Sequence, residues 1–456
     1  MSNFAKIRPG SHFPLFAFLI SLFWYLSLFP GRLGFDYSEA IRMMHQGKST
    51  DWWTGSFWWF LRITSFDGKT IALSSLISIT IFGLSFIWFV RALPGSLGSK
   101  NRATLIFFAT PIYGAFGVNV SHDVFQAAGI ILIIGIQIRH FRKVLIGDRQ
   151  RMAIEIAASA LLMTTAFGPF LVAINVFLLL LQHKRLLAIS ILIFTAIFYF
   201  VTSQGVTNVP KHGLKIPVVA DIKCVAQHPQ AAITQDEWAQ LIQLAPKAEW
   251  LIPTTCSYVD DQLGALSSLE LSNVKLDKNL AKLYLSITAK NPAIVAMAHF
   301  QRASQALPPP FFQGPVNQVI LDPSVPIGQG TNIALQTGAQ VLHPSIDEPS
   351  VDHQIAFLKP LEMVAQGPIF VVNQASWFWG WGGLWLWPIF IYLVRTLHVR
   401  KLKHFVAILS PMLGLHAFLL ILSAPLPRYV MSAITIGFFL TILMIVQWFE
   451  KINHDD

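Results

Sequence analysis

Two stretches of this 456-residue chain hold acidic side chains in settings that suit proton transfer at a membrane edge. The first is the loop Phe29-Pro30-Gly31-Arg32-Leu33-Gly34-Phe35-Asp36-Tyr37-Ser38-Glu39, directly after the first apolar segment. A carboxylate there could serve as a general base toward a hydroxyl. It could also cap the following helix, with Glu39 completing a capping box, and the two roles can coexist. Tyr37, Ile41 and Met44 make an apolar stripe at helical spacing, as in a helix lying in the interface plane. Arg42, His45 and Lys48 supply cations at headgroup level, suited to a lipid-linked phosphate or to snorkelling toward anionic lipid. Asp51 and Trp52, then Phe57-Trp58-Trp59-Phe60, continue the pattern. Polar groups wrapped in aromatics at a bilayer edge suit a substrate with a sugar head and a lipid tail.

Asp123 is the second candidate, in the turn Asn119-Val120-Ser121-His122 that precedes it between two apolar runs. Capping of a helix is its alternative role. Two carboxylates at helix ends on one face could share a site, one taking a proton and both helping to hold a divalent cation such as Mg or Mn. Arg428, in Ala424-Pro425-Leu426-Pro427-Arg428-Tyr429, could grip phosphate through two hydrogen bonds or act as an interfacial anchor. Cys224 and Cys256 lie together in the one long polar region; a disulfide between them is expected if that region faces an oxidising compartment, and two buried thiols otherwise.

These residues need elements to position them. With 54% hydrophobic and 12% charged residues, and a mean hydropathy of +0.55, the chain reads as an α-helical polytopic membrane protein. Its 33 Lys+Arg against 23 Asp+Glu are scattered between apolar spans and form no stripe, which excludes a nucleic-acid partner. Apolar runs near 13–29, 70–92, 103–119, 124–139, 152–167, 169–182, 186–203, 376–394, 405–423 and 429–448 give about ten transmembrane helices. Lys and Arg then gather in alternate loops: Arg91, Lys100 and Arg102; Arg139, Arg142, Lys143, Arg149 and Arg151; Lys184 and Arg185; Arg395, Arg400, Lys401 and Lys403. By the positive-inside rule that side, with both termini, is cytoplasmic.

The expected layout is an N-terminal transmembrane core, 1–203, whose first-loop segment 30–69 carries Asp36; a polar extracytoplasmic domain, 204–375, mixed α/β or mostly α, between helices seven and eight; and C-terminal transmembrane helices, 376–456. Trp377, Trp379, Trp381, Trp385 and Trp387 read as an interfacial aromatic belt. Phosphate-binding glycine loops, H-E-x-x-H and paired Cys-x-x-Cys motifs do not occur.

Pro30-Gly31-x-x-Gly34-Phe35-Asp36 after the first helix, Gly47-x-x-x-Asp51-Trp52 behind it, His122-Asp123, and Pro427-Arg428-Tyr429 opening the last helix together resemble the GT-C superfamily of integral-membrane glycosyltransferases. The likeness covers roughly the first 200 residues and the last 80. It implies a polyprenyl-phosphate sugar donor, Asp36 as catalytic base, Asp123 as the second acidic position, and inversion at the anomeric carbon. That second position often follows a basic residue in the superfamily; here His122 stands there.

The sequence therefore leads to a membrane glycosyltransferase moving a sugar from a polyprenyl-phosphate donor to an acceptor hydroxyl on a glycan, lipid or protein. Modification of cell-envelope polysaccharide at a bacterial inner (plasma) membrane is the expected setting. A transporter or flippase of lipid-linked glycans is the alternative; it would need no catalytic carboxylate.

Overall fold

The computed structural model describes residues 12–31, 40–41, 43–44, 54–204, 211–254, 256, 265–269, 274–275, 278–302, 356–379, 381–422 and 430–455. Its first half contains helices α1 (Phe13–Ser27), α2 (Gly55–Thr64), α3 (Ala72–Ala92), α4 (Leu97–Phe108), α5 (Pro111–Val118), α6 (His122–Phe141), α7 (Asp148–Leu162), α8 (Gly168–Leu181) and α9 (Arg185–Thr202). The polar region holds α10 (Lys211–Ala226), α11 (Gln235–Leu244), α12 (Lys247–Leu251), α13 (Lys278–Lys290) and α14 (Pro292–Arg302). The chain continues through α15 (Lys359–Gln374), α16 (Ser376–Trp379), α17 (Gly382–Arg395), α18 (Leu402–Leu422) and α19 (Met431–Asp455).

Five of these, α3, α6, α9, α18 and α19, are long and apolar enough to cross a membrane, and α1, α8 and α17 are shorter apolar helices. The chain is an integral membrane protein. The expected ten continuous spans are reproduced in part. The run 103–119 is two helices, because Pro111 lacks the N–H that would continue α4 and instead opens α5. The run 152–167 ends as a helix at Leu162.

Helix α6 is the hub. Its span is 83% buried, and it packs against α3, α7, α18 and α19. Gly129 and Gly135 make this possible: a Cβ at Gly135 would lie 2.6 Å from the Trp88 ring, and one at Gly129 would lie 3.0 Å from the Ala158 carbonyl. Small residues let helix backbones approach closely where lipid gives no hydrophobic drive for association. The apolar periphery is correspondingly lipid-facing, with Phe18 on α1, Ile197 on α9 and Trp448 on α19 exposed.

The cationic loops gather at one end of the bundle. Arg142 beyond α6 donates to the Ala92 carbonyl at 2.7 Å, Lys184 reaches Asp148 at 3.8 Å, and Arg102 on α4 pairs with Glu450 of α19 at 3.2 Å. Just inside that end lies a polar cluster that hydropathy hides. Glu155 on α7, fully buried, accepts from Asn175 at 2.7 Å and faces Arg151 at 3.7 Å; Arg151 donates to Gln182, which donates to Gln137. A buried carboxylate needs such partners, since an unpaired one costs several kcal/mol.

Helices α10 to α14 close a second core around Val219, Ile222, Leu241, Trp250, Leu283 and Ile287, with no strand among the described residues of this region. A disulfide joins Cys224 to Cys256 across a sequence separation of 32. Helix α15 does not share this core: Ala365, Ile369 and Val372 pack into the large helical core, against α1 and α5. The expected aromatic belt also differs in part. Trp379 and Trp385 stack 5.4 Å apart and both meet Phe438 of α19, so they are helix-packing residues.

Helix α11 begins with a capping box. Glu237 accepts from the Thr234 backbone N–H at 2.8 Å, while its other oxygen takes Lys290 at 2.8 Å and Ser286 at 2.6 Å. Burial alone would raise this carboxyl, but the hydrogen bonds from Lys290, Ser286 and Thr234 outweigh it and hold the group at about 2. A depressed folded value stabilises above the ordinary value of 4.5 and stops doing so as the pH falls toward 2. Proteolysis of the α10–α14 region in a denaturant series should show that loss on acidification. In the same assay Thr234→Ala should cost about 1 kcal/mol at neutral pH.

Candidate functional site

The end of the bundle opposite the cationic loops holds the N-terminus of α6. Ser121 is extended and caps the helix: its hydroxyl oxygen accepts from the Asp123 backbone N–H at 3.0 Å, and its O–H donates to Asp123 Oδ2 at 2.7 Å. Asp123 is thus not the cap itself. It stands in the first turn, where a carboxylate is favoured by the exposed N–H groups and the helix dipole. Its side chain is 1% exposed, whereas that of the adjoining His122 is 17% exposed, with Nδ1 3.0 Å from Asp123 Oδ1. The His122 ring stands edge-on to Phe57 of α2 at 5.5 Å. A carboxylate this close behind an imidazole restricts the ring's orientation.

The first loop is fastened around this turn at three places. At its start, Gly31 has φ +136°, a conformation L side chains rarely adopt, and an added Cβ would lie 2.6 Å from that of Ser75. Ser75 donates to the Val118 carbonyl at 2.7 Å, which ties this point to the end of α5. Farther on, Ala40 and Ile41 are buried in one cluster with Phe57, Trp58 and Leu61 of α2 and with Val120 and Phe125 on either side of His122-Asp123; Met44 packs at its edge. The apolar stripe of Ile41 and Met44 therefore meets protein. At the third place, Thr54 donates to the Thr164 carbonyl and Ser56 to the Met163 carbonyl, both at 2.7 Å. Gly55 sits where a Cβ would lie 2.1 Å from the Thr202 carbonyl, closing α2 onto the end of α9.

Asp36, Arg42, His45, Lys48, Asp51, Trp52 and Arg428 lie outside the described residues. Of the candidates for chemistry, the described ones are His122 and Asp123, and the structure holds them together. Three residues to which the sequence assigned no role support this pair. Ser121 carried a visible signal, a serine two residues before an acid at a helix start. Phe57 lay within the aromatic run already singled out. Ser75, inside an apolar span, carried none, because its role is a contact made across the fold.

A divalent cation held by Asp36 and Asp123 was one expectation. Among the described residues no three His, Cys, Asp or Glu side chains stand together as a ligand group. One Asp123 oxygen takes the Ser121 hydroxyl and the other faces His122, a poor start for the six or so oxygen ligands a hard cation takes.

No protein-family model matches the sequence, and no curated protein matches it. The chain is similar to the crystal structure of ArnT from Cupriavidus metallidurans bound to undecaprenyl phosphate. The match has 12% sequence identity and a TM-score of 0.32, and covers 94% of this chain and 76% of that one. A likeness this loose carries no argument about the site.

Gly31→Ala should destabilise the start of the first loop for two separable reasons, backbone conformation and contact with Ser75. In thermal melts of the purified protein, Gly31→Ala/Ser75→Gly should recover only the steric part. Full recovery would show that the positive φ is not a constraint.

Proposed function

We propose that this protein is a membrane glycosyltransferase of the GT-C kind, transferring a sugar from a polyprenyl-phosphate donor to an acceptor hydroxyl at the bundle end that carries His122-Asp123. The observation that supports this reading is the anchoring of the first loop on both sides of Asp36. Gly31 lies against Ser75, which bonds the Val118 carbonyl, and Ala40 is buried in one cluster with Val120 and Phe125. Chain length alone keeps Asp36 within about 14 Å of Ala40, four residues on.

In this reading Asp36 takes the proton from the acceptor hydroxyl. The hydroxyl oxygen attacks the anomeric carbon, the bond from that carbon to the phosphate oxygen breaks, and the polyprenyl phosphate leaves with the electron pair. One in-line displacement inverts the anomeric centre. Arg428, with Arg42, His45 and Lys48, stabilises the leaving phosphate, and Asp51 and Trp52 line the same loop. Asp123, which the sequence offered as a second reacting carboxylate, acts instead through His122: it is buried behind the ring and orients it toward the phosphate. The acceptor remains a class, a hydroxyl on a glycan, lipid or protein, in cell-envelope modification at a bacterial plasma membrane.

The face is proposed on two grounds. Cationic loops mark the cytoplasmic side, and a disulfide such as Cys224–Cys256 persists in oxidising compartments and is rare in the cytosol. The polar domain and the site then lie outside, with both termini within. A membrane-impermeant reductant added to intact spheroplasts should reduce this disulfide; in inside-out vesicles it should not.

Transfer from a polyprenyl-phosphate sugar by purified protein tests the reaction. Asp36→Asn should lower the rate by about 10²- to 10⁴-fold with the protein intact, the usual contribution of a general base. Asp123→Asn, which removes a charge-assisted partner of His122, should cost on the order of ten- to a hundredfold. Full activity in Asp36→Asn would overturn the assignment, and a flippase would tolerate both changes.

A further inference from the structure

Asp221 on α10 is buried, and three side chains converge on it. Tyr284 of α13 donates its hydroxyl to Oδ2 at 2.9 Å, and Arg302 of α14, itself fully buried, donates to Oδ1. His299, nearly one turn before Arg302, has Nε2 2.7 Å from Oδ2. Its other ring nitrogen, Nδ1, lies 3.3 Å from the Leu420 carbonyl of α18, the membrane helix against which α14 packs.

The chemistry of these partners fixes the proton count. A carboxylate beside a buried guanidinium stays ionised and can only accept, and a backbone carbonyl can only accept. A neutral imidazole has one N–H and can serve one of the two; an imidazolium serves both. We propose that His299 is a proton-dependent clasp that, doubly protonated, fastens the disulfide-bearing domain to the end of α18 through Asp221 and Leu420. Loss of one proton leaves one of its two hydrogen bonds unmade.

Among the described residues, the titratable and charged groups that meet at Asp221 beside the ring come from three helices. Asp221 comes from α10, Tyr284 from α13 and Arg302 from α14 itself. On α18 the titratable residue nearest Leu420 is His416, one turn earlier. Lys223, two residues beyond Asp221, directs its ammonium at the carbonyls of Trp250 and Ile252. The two acceptors favour the charged ring in the docked state. By linkage, the docked state that uses both ring hydrogen bonds holds one more proton than a state that uses a single one, so the clasp tightens as the pH falls and loosens as it rises. Leu420 precedes Arg428 by eight residues (420 to 428). A bearing of the clasp on donor binding rests on the function proposed above; the clasp itself does not.

Hydrogen–deuterium exchange on the full-length protein in lipid nanodiscs, corrected for the intrinsic pH dependence of exchange, tests it. Peptides covering 292–302 should lose about tenfold in protection between pH 5.5 and pH 8.5, the scale of one charge-assisted hydrogen bond. His299→Gln should flatten that response, and His416→Gln should keep it. A flat response in the unmodified protein, a step surviving in His299→Gln, or a step abolished by His416→Gln would each overturn the clasp. A transferase assay showing no activity while the step is present would count against the proposed function and leave the clasp standing.

Discussion

Everything at the candidate site depends on how α6 begins. This helix is enclosed by four others, so its first turn cannot rely on bulk water for its free N–H groups. Ser121 caps it, and Asp123 adds a carboxylate where the helix dipole favours one. Burying that carboxylate would be costly alone. The Ser121 hydroxyl offsets part of the cost, and the His122 ring stands with Nδ1 3.0 Å from the other oxygen. A structural requirement of membrane burial thus produces an oriented, partly exposed histidine at the end of the bundle.

The first loop is organised by the same turn. Its anchors at Gly31, at Ala40-Ile41 and at Thr54–Ser56 fall on α3 and α5, on α2 and α6, and on the ends of α7 and α9 respectively. Each uses a different physical means: a positive φ against a serine, apolar burial, and hydroxyl groups on open carbonyls.

The opposite end obeys other rules. Cations there bond open helix-end carbonyls and bridge neighbouring loops, while Glu155, Asn175, Arg151, Gln182 and Gln137 form a polar chain inside the bundle. Polar side chains inside a membrane protein hold helices together when each finds a partner. Both ends therefore hold buried charge, met in part from close by in sequence: Ser121 and His122 beside Asp123, and Arg151 one turn before Glu155.

Hydropathy was enough to establish a helical membrane protein, because the bilayer imposes length rules on sequence directly. The resemblance carried by Asp36, His122-Asp123 and Arg428 was equally legible, since it resides in short local strings. Local pattern could not decide that Pro111 would break its apolar run while Pro388 and Pro411 sit inside continuous helices. Nor could it show that α15 belongs to the membrane core, or that Trp379 and Trp385 pack inward. Those outcomes depend on which faces meet. The pairing of Asp123 with His122, the anchoring of Gly31 on Ser75, and the meeting of His299 with Leu420 were decided only by tertiary structure. Each joins groups whose partner is set by packing, and two of the three reach across more than forty residues of chain.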